Sequence, residues 1–392
     1  MVGNSSSNDI SKIHLETDRR RVIGDVSKTL KHKSLGILCR WPLLDEDYPE
    51  VSDVDLLSIW DGPEELPNRI VATVSSGRVF VDIVWIPLSA MVDPVKAASY
   101  RILPHLLLGS KVVWLRSDEI KSLIGQIKLN TYEKDIWNRR LGNQINFGDV
   151  ALLEASRNLD FPQASQFFLQ IAHSYYMMAL GDSLKRKITS FITRPIIKLK
   201  NIDAETGCRL EDMLKANLYL GTNPSVQLSA LRRISNVIRS KCRGQMPLGM
   251  SLKTAGHFAY MFSPMELDYR EMVADAMIKK GDYANASIYI RFMAYSLARC
   301  PIVFEEAGNG RDPSFFVPNQ PLKKSLQQTC PEIIDDLTLI LGEKLTRAQV
   351  ESSITGTLSF RSVVMEQINK RGTRILRHNN EIVKELIEEY KK

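Results

Sequence analysis

Apolar residues recur at roughly helical spacing between Ser11 and Lys33 (Ile13, Val22, Ile23, Val26, Leu30), which predicts an opening helix. Three short apolar runs follow, Ser34 to Cys39, Val54 to Trp60 and Arg78 to Ile86, separated by segments rich in Pro, Gly, Asp and Glu. They predict the strands of a small sheet. A helix is expected to begin at Pro94, continue from Val95 to Leu108 and stop at Gly109 and Ser110, and Lys111 to Leu115 reads as a fourth strand. Beyond Ile120 the strand signals fade, and Ala, Leu, Met, Gln, Lys and Arg at helical spacing run to the end of the chain. The expected fold class is α/β plus all-α. A mixed sheet with flanking helices occupies residues 1–130, and helical bundles follow over 131–245 and 246–392.

A pattern repeats inside the helical part. Asp160, Phe161, Ala164, Ser165, Phe168 and Ala172 are matched in type and spacing by Asp282, Tyr283, Ala286, Ser287, Ile290 and Ala294. Each copy reads as a helix start, with Asp as the cap and small residues eight apart that admit a neighbouring helix. Gly207 to Cys208 and the segment from Gly308 to Pro321 are the expected linkers or loops.

Composition narrows the class only a little. Of 392 residues, 44% are apolar and 25% charged, enough to bury a core and too apolar for a disordered chain. The opening residues hold no secretory or transit signal, and the longest apolar stretch, Ile102 to Leu115, is too short to span a bilayer. A soluble, cytoplasmic protein with no membrane partner is expected. Five scattered cysteines without a C-x-x-C pair argue against a zinc site or a disulfide framework. The formal charge of +7 suits a polyphosphate or RNA ligand without requiring either.

The chemistry concentrates in two strands. Ser52-Asp53-Val54-Asp55 leads into an apolar strand, and residues i and i+2 of a strand share a face, so Asp53 and Asp55 converge. Two carboxylates that close call for a proton or a hard cation such as Mg²⁺. Asp82 stands inside the next apolar strand, where a buried charge needs compensation. If the strands are neighbours, Asp53, Asp55 and Asp82 can hold two magnesium ions for in-line phosphoryl chemistry.

Ser-Asp-x-Asp before an apolar run, then a lone Asp in an apolar strand 25 to 30 positions on, resembles the nucleotidyltransferase superfamily over about the first 130 residues. The type it resembles is that of the kanamycin and related aminoglycoside nucleotidyltransferases. The resemblance implies a magnesium-dependent transferase that passes a nucleoside monophosphate from a nucleoside triphosphate, with ATP the expected one, to a hydroxyl acceptor and releases pyrophosphate. It implies that Asp53 and Asp55 bind both ions and that Asp82 completes the ion activating the acceptor. The acceptor is unspecified: a small molecule is expected, with RNA or protein as alternatives. The helical remainder resembles the HEPN-type domains that follow the catalytic domain in those enzymes and select the acceptor, and Glu154 is the corresponding candidate for a general base.

One part of the family pattern is missing. The Gly-Ser pair that cradles the nucleotide phosphates about a dozen residues before D-x-D is replaced here by Leu38-Cys39-Arg40-Trp41. Arg40 can supply a guanidinium fork for phosphate and Trp41 a stacking surface for a base. With Ser52, Arg40 completes the expected nucleotide-binding residues. The loss leaves a rival reading, a catalytically inactive relative that binds protein or RNA through its helical domains. Arg232, Asn236, Arg239 and Arg243 on one helical face, with Arg233 and Lys241 beside them, and the run Lys185, Arg186, Lys187 are the only features that favour RNA, and such stripes are more often solvated faces. No histidine, serine or cysteine stands in a hydrolase motif, and the spacing of Arg371, Arg374 and His378 differs from that of HEPN ribonucleases.

Overall fold

The structure, a computed structural model, describes residues 5–43, 48–62, 68–74, 77–185, 194–218, 223–242, 264–309, 321–342 and 344–371. It is mostly helical, with one mixed five-stranded sheet near the N-terminus. Contacts divide the chain into two compact units: residues 1–136 with 251–276, and residues 137–250 with 277–392. Among the described residues no helix is long and apolar enough to cross a membrane.

In the first unit, α1 (Ser5–Leu30) precedes β1 (Ser34–Arg40) and a single 3-10 turn, Pro49–Val51, leads into β2 (Val54–Trp60). β3 (Asn68–Val74), β4 (Gly77–Pro87) and β5 (Ser110–Leu115) complete the sheet in the order β3-β4-β2-β1-β5. β2 and β4 run parallel; every other neighbouring pair is antiparallel. Alternation along each strand sends one set of side chains to each face. Ile37, Cys39, Val54, Leu56, Val81 and Ile83 pack with Val22, Ile23 and Leu30 of α1. On the other face Leu38, Leu57, Ile59 and Ile86 pack with Ala97, Ala98 and Leu107 of α2 (Pro94–Ser99) and α3 (Leu103–Leu108) and with Ile120, Ile124 and Ile127 of α4 (Asp118–Asn130).

Two expectations for this unit need correction. The sequence pattern assigns no strand to Asn68–Val74, yet this segment is β3, and Ile70, Ala72 and Val74 join the α1-side core at period two. The single helix expected over 94–108 is two. The chain is extended at Tyr100, and Pro104 sits in the first turn of α3, where its missing N–H is no loss; inside one continuous helix it would have removed a hydrogen bond.

The second unit takes α5 (Lys134–Arg157) from Trp137 on, then α6 (Pro162–Ser183), α7 (Arg194–Lys200), α8 (Ala204–Asn217) and α9 (Pro224–Cys242). α10 (Pro264–Lys279) groups with the first unit as far as Ala276. α11 (Tyr283–Gly308), α12 (Leu322–Thr329), α13 (Ile334–Gly342) and α14 (Arg347–Asn369) complete the second unit. α6 packs on α14, and α9 on α11 and α13. Gly207 and Cys208 are no linker: they lie within α8, and Gly207 is buried. A Cβ at Gly207 would fall 2.5 Å from Lys200 Cγ and 2.8 Å from its Cα, so this glycine lets α7 approach α8 closely. Of the Gly308 to Pro321 segment, residues 310–320 lie outside the described residues.

Both repeat copies open helices and bury their small residues, Ala164, Ala172, Ala286 and Ala294 all being inaccessible. Only one acid caps as expected. Asp282 accepts from the Asn285 N–H, whereas the cap position of α6 is Phe161 and the exposed Asp160 pairs with Arg347 at 3.4 Å. The two helices meet through Tyr295, whose ring stacks on Phe167 with centroids 4.0 Å apart.

The core of this unit includes buried charged and polar side chains. Arg140 and Asp182 form a fully buried pair at 2.7 Å, joined by Trp137, and Arg361 grips Asp149 at 2.6 and 2.9 Å while the Tyr176 hydroxyl donates to the same carboxylate. Each of these four charges is thus both paired and hydrogen-bonded, the condition under which burial is tolerated.

Candidate functional site

The site forms at one end of the parallel pair β2/β4. Register sets Asp55 directly beside Asp82, and Asp53 lies two residues before Asp55 on the same strand side. Asp53, Asp55 and Asp82 each offer a carboxylate oxygen such that the three atoms lie within 4.8 Å of one another. Their strand positions alternate with Val54, Leu56, Val81 and Ile83, which belong to the α1-side core, so the triad stands on the opposite face, that of α2, α3 and α4. Asp82 is only 9% exposed.

Local sequence explains how Asp53 is delivered. Pro49 starts the 3-10 turn ahead of β2, and Ser52, extended at φ −60° and ψ 132°, closes it. The Ser52 hydroxyl donates to the Tyr48 carbonyl at 3.1 Å. Arg19, buried on α1, donates through Nη2 to the carbonyls of Pro49 (3.0 Å) and Ser52 (2.7 Å). Burial disfavours the Arg19 charge, and the nearby Asp53 and Tyr269 act in the opposite sense. Nothing in the sequence pattern singled out Arg19; its role depends on where α1 crosses the loop before β2.

Arg40, at the end of β1, donates through Nη1 to Asp55 Oδ2 at 3.0 Å. The pair is partly solvated, 35% and 23% exposed. Burial, seconded by the charge of Asp55, pushes the neighbouring Cys39 thiol up to about 12, so Cys39 stays a neutral packing group. Trp41 packs into the α1-side core, with Lys111 Nζ 3.6 Å from its ring centroid and Arg20 5.0 Å away. It therefore stands on the face away from the carboxylates, occupied by cations, which does not suit the base-stacking role considered for it.

No family model matches the chain, and no curated protein is significantly similar to it.

The donor set is three carboxylates, hard oxygen ligands, with no sulfur or nitrogen among them, a set that could hold a hard divalent cation such as magnesium. α10 adds residues the sequence did not single out. Tyr269 packs on Phe80 with ring centroids 5.0 Å apart, and Phe80 is two residues before Asp82 on β4. Arg78 of β4 approaches Asp268 at 3.8 Å.

The remaining candidates are dispersed. Glu154 is buried in the second unit, 3.5 Å from Arg157 and near Arg299, with burial raising its pKa; it belongs to packed interior rather than to a surface that an acceptor can reach. Arg233 is clamped by Asp336 (2.6 Å) and Lys241 by Glu332 (3.1 Å), which neutralises part of the basic stripe. Arg186, Lys187, Arg243, Arg374 and His378 lie outside the described residues.

Proposed function

We propose that the protein is a magnesium-dependent nucleotidyltransferase, transferring a nucleoside monophosphate from a nucleoside triphosphate, with ATP the expected donor, to a hydroxyl group. One observation carries the reading: the parallel register of β2 and β4 aligns Asp55 with Asp82, and with Asp53 they offer three oxygens within 4.8 Å on one sheet face. Asp53 and Asp55 would hold both ions and Asp82 one of them, and the ions would supply charge neutralisation and alignment for the phosphoryl group when bound. The chain's own share is to fix the carboxylates. Strand pairing holds Asp55 and Asp82, while Arg19 braces the loop that carries Asp53. The acceptor oxygen bonds to the α-phosphorus as the bond to the pyrophosphate oxygen breaks, and pyrophosphate and the hydroxyl proton are released.

The missing Gly-Ser pair favours a second reading, an inactive relative working as a protein- or RNA-binding module. A single experiment separates the two: incubation with α-labelled nucleoside triphosphates, Mg²⁺ and cell extract, followed by identification of the labelled species. Transfer is expected from the native chain, falling more than about a hundredfold in Asp53→Asn, Asp55→Asn and Asp82→Asn, the scale on which loss of one charge-stabilising group acts. Full activity in any one folded variant would overturn the assignment, as would absence of label with every triphosphate.

A further inference from the structure

Arg40 occupies the position from which the missing phosphate-binding pair would act, yet its guanidinium donates to Asp55, a member of the carboxylate triad, at 3.0 Å. A carboxylate that already accepts from a guanidinium holds a divalent ion less well, because part of its charge is balanced and the two cations repel at short range. With the pair 35% and 23% exposed, the Arg40 side chain reaches solvent rather than being enclosed in the core. It lies at the end of β1, and β1 pairs with β2, so a guanidinium released from Asp55 stays beside the triad.

We infer that Arg40 is an exchangeable counter-ion: it neutralises Asp55 before metal binds, and metal loading displaces it to bind the phosphate tail of the nucleotide. This rests on the proposed metal-dependent transferase and adds an order to it, metal before triphosphate. A binding residue replaces the lost backbone cradle, and the empty carboxylate cluster is spared self-repulsion. Arg40 acts here as a ligand for phosphate and a competitor for metal, two roles that a structural ion pair would not combine.

The test is calorimetry on the full chain, first with Mn²⁺ alone and then with a non-hydrolysable triphosphate at saturating Mn²⁺. Arg40→Gln is expected to tighten Mn²⁺ binding about twofold to fivefold, because a partly exposed competing ion pair is gone. The same variant should weaken triphosphate binding about tenfold to a hundredfold, the loss expected for a charge-assisted contact to phosphate. Arg40→Lys, which keeps the charge but not the fork, should fall between, and thermal melts of both variants check folding. Opposite changes in the two affinities support the exchange. Unchanged or weaker metal binding in folded Arg40→Gln, with Mn²⁺ binding to the native chain intact and lost in Asp55→Asn, overturns the exchange alone. Absence of Mn²⁺ binding to the native chain overturns the exchange and the metal site together.

Discussion

At the scale of single residues, the two-residue spacing of Asp53 and Asp55 was enough to place both on one face, because strand geometry is strictly alternating. Arg40 was legible as a cation near the site but not as the partner of Asp55, since that pairing depends on the antiparallel register of β1 on β2. His173 was invisible as a special group. It is fully buried, with Nδ1 donating to the Leu169 carbonyl at 2.7 Å and Nε2 placed to accept from the Asn217 amide at 3.3 Å. Burial pushes its pKa down to about 4 from 6.5. The folded ring therefore refuses a proton that the unfolded chain accepts. Its contribution to stability is complete above pH 6.5 and is lost as pH falls toward 4, on the order of 3 kcal/mol in all. Urea unfolding at pH 7 and pH 4.5 is expected to show this loss in the native chain and a smaller one in His173→Gln; equal losses would show that another group titrates instead.

At the scale of elements, patterns with a long run or a clean stop were legible: β2 spans the expected residues, and Gly109 caps α3 as expected. β3 was hidden because only Ile70, Ala72 and Val74 face the core, and an edge strand with one alanine among three inward positions gives a faint alternation. Gly207 misled for a different reason. Glycine signals a loop when backbone freedom is needed, but here it provides space between two helices, a use that only a partner in three dimensions reveals. Gly207→Ala should therefore destabilise the second unit even though alanine is the better helix former by about 1 kcal/mol. A net loss of about 1–3 kcal/mol is expected from the clash with the Lys200 backbone. An unchanged or raised melting temperature would mean that α7 and α8 separate without penalty.

For the whole molecule, the division into a sheet-bearing part and a helical remainder follows from the change in hydrophobic period near Ile120, and the sheet and helices bear out that coarse class. What sequence periodicity cannot reach is a contact between segments far apart in the chain. The grouping of residues 251–276 with the first unit is of this kind, resting on packing such as Tyr269 against Phe80. The central claim belongs to the first unit: three carboxylates aligned by strand register hold divalent metal for a triphosphate. Its most direct test is ATP binding to the full chain by calorimetry, with Mg²⁺ and then with a chelator, in the native protein and in Asp82→Asn. Saturable binding that requires Mg²⁺ and disappears in the folded variant is predicted. Binding that survives the chelator, or that Asp82→Asn leaves intact, would contradict it.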